Sequence, residues 1–102
     1  LALIEEGLPV IVIAPKDKYY EKTLSNMQEV MARGGKILFI TDHKKELMNE
    51  NIRLGIRVPS IDNLLSPILL TIPIQLLAYH VALLKGCDID KPRNLAKSVT
   101  VE

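Results

Sequence analysis

Apolar and polar positions along this chain switch between two periods, and the switches mark out its elements. Pro9-Val10-Ile11-Val12-Ile13-Ala14-Pro15 is an unbroken, largely β-branched run with a proline at each end. Both of its faces are apolar, so it reads as a strand covered on both sides, as in the middle of a parallel sheet. Residues 1–8, ahead of it, have the look of the last turn of a helix closed by Gly7. Asp17 is placed to cap a helix running to about Arg33, because Tyr20, Leu24, Met27, Val30 and Met31 recur at helical spacing. Gly34-Gly35 stops that helix, and Lys36–Thr41 is a second buried strand that ends at Asp42. Residues 43–51 are polar, with at most a turn of helix around Lys45 to Met48. Residues 52–59 alternate apolar with small or basic side chains, which fits a third strand with one wet face, nearer an edge.

Residues 61–84 are the most apolar part of the chain, and from Ser66 to Leu84 none is charged. At about 1.5 Å per residue this length nearly spans a bilayer core, so a membrane helix has to be weighed. Pro67, Pro73, Gln75 and His80, and the lack of flanking basic and aromatic anchors, speak against it. Ser66 and Pro67 make an Ncap and N1 pair, with room for a kink at Pro73. A helix apolar nearly all round needs burial on more than one side, by the sheet and by a second domain or subunit. His80 then reads as a partnered interior or interface histidine.

The resulting architecture is α/β: β-α-β-loop-β-α with right-handed crossovers, three parallel strands with helices on both faces. It looks incomplete. The first strand has the pattern of a central strand yet stands at an edge if nothing precedes it, so a further strand is expected to pair with it. A first residue of Leu1 in place of Met also suggests a piece of something longer.

Composition narrows the class. The 102 residues allow one domain or less. Thirteen basic against twelve acidic residues, with three tyrosines, one phenylalanine and no tryptophan, give no electrostatic or stacking case for nucleic acid. Cys87 alone allows no internal disulfide and suits a reducing, cytoplasmic compartment. Asp42 beside His43 has no second histidine or cysteine at ligand spacing, so the pair reads as a surface loop at the carboxyl end of a strand rather than a metal site.

The remaining chemistry lies in the tail. Gly86-Cys87-Asp88-Ile89-Asp90-Lys91-Pro92 is turn-rich, and Pro92 biases the residue before it away from helix, so residues 93–102 are expected to leave as an irregular arm. Lys97 sits there among Ala96, Ser98, Val99 and Thr100. By residue type alone, a lysine near a chain end is ordinarily solvated and mobile. In dehydrating surroundings it becomes an amine nucleophile or proton carrier toward a carbonyl.

The stretch Pro73-Ile74-Gln75-Leu76-Leu77-Ala78-Tyr79-His80-Val81-Ala82-Leu83-Leu84-Lys85-Gly86, continued by Asp88-Ile89-Asp90-Lys91-Pro92-Arg93-Asn94-Leu95-Ala96-Lys97-Ser98-Val99-Thr100-Val101-Glu102, resembles the carboxyl end of the glutamine:fructose-6-phosphate aminotransferases, or glucosamine-6-phosphate synthases. Leu1-Ala2-Leu3-Ile4 resembles the residues immediately after that family's Glu-Leu-Lys-His-Gly-Pro motif, so the likeness covers essentially the whole chain. The tail is its specific part.

The resemblance implies the latter part of the second sugar-isomerase (SIS) subdomain, a partial flavodoxin-like three-layer sandwich holding strands three to five of five, with strands one and two missing. Residues 1–86 are that portion and residues 87–102 an active-site tail. The whole enzyme makes glucosamine 6-phosphate from fructose 6-phosphate and ammonia released from glutamine by an amino-terminal glutaminase domain. Lys97 falls on the lysine that assists ring opening and forms an imine with the open-chain ketose. Ala96 falls on a backbone contact to the sugar, and Leu95, Ala96 and Val99 on the wall of an ammonia channel, where apolar side chains keep out competing water. The family's glutamate base and the histidine of its motif fall upstream of Leu1, and the serine and threonine phosphate loop belongs to the first SIS subdomain. This stretch alone is therefore expected to be inactive, with no metal and no cofactor. The expected partners are the first SIS and glutaminase domains and further copies of the chain, with no nucleic acid and no membrane. The alternative is a non-catalytic SIS-type module for sugar-phosphate binding or dimerisation.

Overall fold

The computed structural model of the chain describes residues 1–43 and 50–90. It contains β1 (Pro9–Ala14), α1 (Tyr20–Ala32), β2 (Lys36–Thr41), β3 (Ile52–Arg57) and α2 (Ser66–Leu84). Two compact units are distinguished, Leu1–Leu70 and Thr71–Glu102.

In the first unit the strands form one parallel sheet in the order β1-β2-β3. β1 and β2 run in step, from Pro9 opposite Lys36 to Ala14 opposite Thr41. Between β2 and β3 the register slips by one residue, since Ile37 faces Ile52 while Leu38 faces Leu54. Arg53 is the extra residue, a bulge of the kind that collects on edge strands. Tyr20, Leu24, Met27, Val30 and Met31, the face picked out by their spacing, all join the core, against Val10, Val12 and Ala14 of β1 and Ile37 and Phe39 of β2. Central β2 is the buried strand, with Ile37 at 0% and Ile40 at 1% exposure. β3 is exposed along most of its length, as its alternation predicts for an edge.

β1 lies at the other edge. Its second face is open, with Ile11 43% and Ile13 39% exposed. A sequence suited to a doubly covered strand is here paired on one side and covered on one face.

Three local expectations are corrected. Residues 1–8 form turns rather than a helix end: Ile4 N–H donates to the Leu1 carbonyl and Leu8 N–H to the Glu5 carbonyl, both at 3.1 Å. Asp17 does not cap α1. Its Oδ1 accepts the Tyr19 N–H at 2.8 Å and so closes the preceding turn, because Tyr19 already has helix-like angles and flanks the helix without a side-chain cap. Ser66 is helical rather than a cap, and its hydroxyl donates back to the Asn63 carbonyl at 3.3 Å. The expected turn around Lys45 to Met48 falls outside the described residues.

The stop of α1 comes from its glycines. Gly34 has φ +86° and its N–H donates to the Met31 carbonyl at 2.9 Å, while Gly35 N–H reaches back to Val30 at 3.1 Å. This is the paired bonding of a Schellman cap with glycine in the left-handed position. A Cβ on Gly34 would also meet the Glu6 Cα at 2.9 Å, because Gly7 N–H donates to the Gly34 carbonyl and draws the lead-in close.

α2, of which the part from Thr71 onward belongs to the second unit, runs unbroken through Pro73 and ends in the same kind of cap. Gly86 (φ +71°) donates to the Leu83 carbonyl at 3.0 Å, and Cys87 N–H to the Ala82 carbonyl at 2.9 Å. Within this chain Ser66 and Leu70 are the buried residues of α2, and Leu76, Tyr79, Val81 and Leu83 are exposed. His80 is exposed within this chain, edge-on to the Tyr79 ring at 5.3 Å. By length and composition alone, α2 is long and apolar enough to cross a membrane.

Gly34→Ala is expected to destabilise the fold by about 1–2 kcal/mol, because an L-residue must take the left-handed conformation there. The check is an earlier urea midpoint with an unchanged slope. An unchanged midpoint would contradict this account of the cap.

Candidate functional site

In open parallel α/β sheets ligands gather outside the carboxyl ends of the strands. At that edge the chain brings together Lys16, Tyr20, Thr41, Asp42 and His43. Thr41, 6% exposed at the end of β2, donates its hydroxyl to the Ala14 carbonyl at 2.6 Å. The same oxygen accepts the His43 N–H at 3.1 Å, and the Thr41 carbonyl accepts the Val58 N–H at 2.9 Å. One threonine therefore ties the ends of all three strands. Asp42 reaches the other way, its Oδ1 accepting the Lys16 N–H at 2.6 Å.

Tyr20, the first residue of α1, is 4% exposed under this network. Its ring stacks on His43 with centroids 4.9 Å apart and planes 16° from parallel. Lys16 Nζ lies 4.6 Å from the ring centroid and 3.7 Å from Glu21 Oε1. Both of these contacts are partly solvated and individually weak. Burial holds the phenol of Tyr20 above its ordinary value of 10.0, and the negative charges of Glu21 and Asp42 add to the rise, while a hydrogen bond with Thr41 opposes it.

The arrangement is better at holding than at reacting. A buried phenol raised above 10 gives up no proton near neutral pH, and the near oxygen of Asp42 is engaged by an amide. Among the described residues no three His, Cys, Asp or Glu side chains are grouped to hold a metal. Asp42 and His43 do lie at the carboxyl end of a strand, as the sequence indicates. Their joining with Lys16, Tyr20 and Thr41 was missed, because Tyr20 and Thr41 read only as core positions. The available signal was the polar triplet Thr41-Asp42-His43 after one apolar strand and Lys16-Asp17 after the other.

A second feature is a recess of about 430 Å³ along β1 and α1, lined by Leu1, Ile11, Val12, Ile13, Thr23, Asn26, Met27 and Val30. None of these side chains titrates, so the recess offers packing surface and no acid-base chemistry. The residues assigned from the tail, Lys97, Ala96, Leu95 and Val99, lie outside the described residues.

Comparison with known proteins supplies what the geometry does not. The profile of the SIS domain matches residues 1–85. The chain belongs to the SIS domain family. It is 57% identical over 103 aligned positions to a glutamine–fructose-6-phosphate aminotransferase (isomerizing) of Agrobacterium fabrum, which takes in 100% of this chain and 17% of that protein. A protein of the same name from Zymomonas mobilis is 52% identical over the same extent. The chain thus spans about a sixth of the length of the curated relatives it matches. Among solved structures, the C-terminal domain of glucosamine-fructose-6-phosphate aminotransferase from Francisella tularensis superposes with a TM-score of 0.81 at 39% identity, over 88% of this chain and 26% of that one. The three parallel strands and two helices are accordingly a partial flavodoxin-like SIS sandwich, and the likeness first drawn from the tail extends over the whole chain.

Because folding raises the Tyr20 phenol, the folded protein holds that proton more tightly than the unfolded one. Its contribution to stability is complete below about pH 10 and is lost as pH rises through the folded value. Tyr20→Phe is therefore expected to lose less stability than the parent between pH 9 and pH 11, roughly the range around the tyrosine value. Urea midpoints across that range check it, and parallel curves would rule it out.

Proposed function

We propose that this chain is part of the isomerase domain of an enzyme that makes glucosamine 6-phosphate from fructose 6-phosphate and glutamine-derived ammonia, with Lys97 as its imine-forming amine. The observation that carries this reading is the Arg93-Asn94-Leu95-Ala96-Lys97-Ser98-Val99-Thr100-Val101-Glu102 tail, within a similarity that spans the whole of this chain and 17% of the length of proteins named for that reaction. Lys97 Nζ, as the neutral amine, attacks the carbonyl carbon of the opened ketose, and water leaves as the imine forms. Ammonia then replaces the lysine by exchange, which returns the free amine. The carboxylate base for proton transfer between C1 and C2 comes from elsewhere in the full protein. Ala96 presents its backbone to the sugar, and Leu95, Ala96 and Val99 wall the path of ammonia.

Residues 1–86 serve as the frame and residues 87–102 as the active-site tail. The frame works with the first SIS and glutaminase domains in a cytoplasmic homo-oligomer. The open face of β1 and the apolar recess beside it support such partners, since both call for cover. Relatives about six times as long support them as well. One observation favours the second reading, a sugar-phosphate-binding or dimerisation module without chemistry: the SIS profile ends at residue 85, ahead of the tail.

Borohydride reduction of the full-length protein with fructose 6-phosphate separates the two readings. The expected result is an adduct on Lys97, and binding without an adduct favours the module. Lys97→Arg in the same protein is expected to lower glucosamine 6-phosphate formation by orders of magnitude, because arginine stays protonated and cannot supply the neutral amine. Undiminished output would end the proposal.

A further inference from the structure

The two edges of the sheet are built differently. β1 carries no charged residue from Pro9 to Ala14 and pairs in step with β2. β3 reads Ile-Arg-Leu-Gly-Ile-Arg, and among the described residues no strand pairs with its outer side. A bare edge is a template for another copy of itself, and Leu54 stays 47% exposed on this one. Three features oppose that use. The bulge at Arg53 sets Ile52 opposite Ile37 and Leu54 opposite Leu38, which are neighbours on β2, so the two apolar residues fall on opposite faces and the regular alternation is broken. Gly55 gives an incoming strand no side chain to pack on, with open space where a Cβ would stand. Arg53 and Arg57 are exposed, and among the described residues neither forms an ion pair.

We propose that Arg53 and Arg57, with the bulge at Arg53, guard the outer edge of β3 against strand pairing with a second copy of this chain. Two copies related by a two-fold axis meet edge to edge as antiparallel strands. The alignment that brings Leu54 opposite Ile56 is centred on Gly55, and it sets Arg53 opposite Arg57 twice. Like charges directly opposite one another oppose pairing. A slip of one residue removes those contacts but puts Ile52 against Arg57 and Ile56 against Arg53, so apolar side chains then face charges. Both alignments are penalised by the same two arginines, which act as gatekeepers in an otherwise apolar strand. β1, with no such residues, is left as the edge open to pairing. The inference is independent of the role given to Lys97.

The test is sedimentation velocity of the full-length protein over a range of concentrations. The double variant Arg53→Thr with Arg57→Thr removes both charges and leaves residues that favour strands. It is expected to form species larger than the parent's at about tenfold lower concentration, in line with two repulsive pairs removed. Arg53→Glu with Arg57→Glu restores like charges of the other sign and is expected to sediment as the parent does. A threonine variant that sediments like the parent overturns the guard, and so does a glutamate variant that associates as readily as the threonine one. If the urea transition shows the double threonine variant to be unfolded, Arg57→Thr alone carries the test. A smaller shift in the same direction is then expected, and no shift is the contrary result.

Discussion

A parallel sheet must be covered on both faces, and that constraint governs the rest of this chain. β2 meets it with Ile37 and Ile40 essentially removed from solvent. β1 has the same kind of sequence but only one strand beside it and α1 on one face, so Ile11 and Ile13 keep about two-fifths of their surface in water. Full burial of such a side chain is worth about 1.5–3 kcal/mol. Each half-covered isoleucine therefore forgoes on the order of 1 kcal/mol. The exposed leucines, isoleucines and valine of α2 add to the deficit. The total is comparable with the roughly 5–15 kcal/mol that stabilises a whole small domain. On the proposed reading, cover from a larger assembly makes up this deficit, and the recess along β1 is one surface open to it.

The carboxyl edge presents the opposite balance. Where the apolar faces are left open, the polar groups at the strand ends are satisfied. Thr41 spans to Ala14, Asp42 to Lys16, and among the described residues no buried side-chain nitrogen or oxygen lacks a partner. The buried Thr41 bond to Ala14 is the costly one to break, since its freed groups would be left unpaired in a poorly hydrated place. Rigidity at this edge and unfinished packing along β1 suit a frame that holds a site made jointly with other segments.

How much of this was legible depends on whether the deciding contacts are local. β2 and the core face of α1 could be read from spacing, because strand and helix periods fix which side chains share a face. The two glycines ending α1 were legible for the same reason: a left-handed cap needs glycine. Asp17 was read as the cap of α1, but it sits ahead of the helix and bonds the Tyr19 amide in the preceding turn, a choice between neighbouring amides that residue type does not settle. The edge position of β1 was legible as a central-type strand with nothing before it, whereas the exposure of α2 depends on what lies alongside it, which its own residues do not encode. The network around Tyr20 joins positions some twenty or more residues apart, beyond the reach of any periodicity. The tail was read by resemblance rather than by spacing, and its residues lie outside those the structure describes.

The chemistry proposed for Lys97 returns to the same constraint. An ordinary lysine amine is protonated at neutral pH by more than about three units, and freeing its lone pair costs roughly 4–5 kcal/mol. A single carbonyl or hydroxyl neighbour does not offset that, whereas full removal from water shifts such a group by about 3–5 units. On the proposed reading, Lys97 therefore needs nearly complete enclosure at the moment of attack. Ala96 and Val99 are small or apolar enough to permit it, but a ten-residue arm cannot enclose its own side chain. On that reading the walls come from other parts of the full protein, and the amine becomes reactive only where they enclose it.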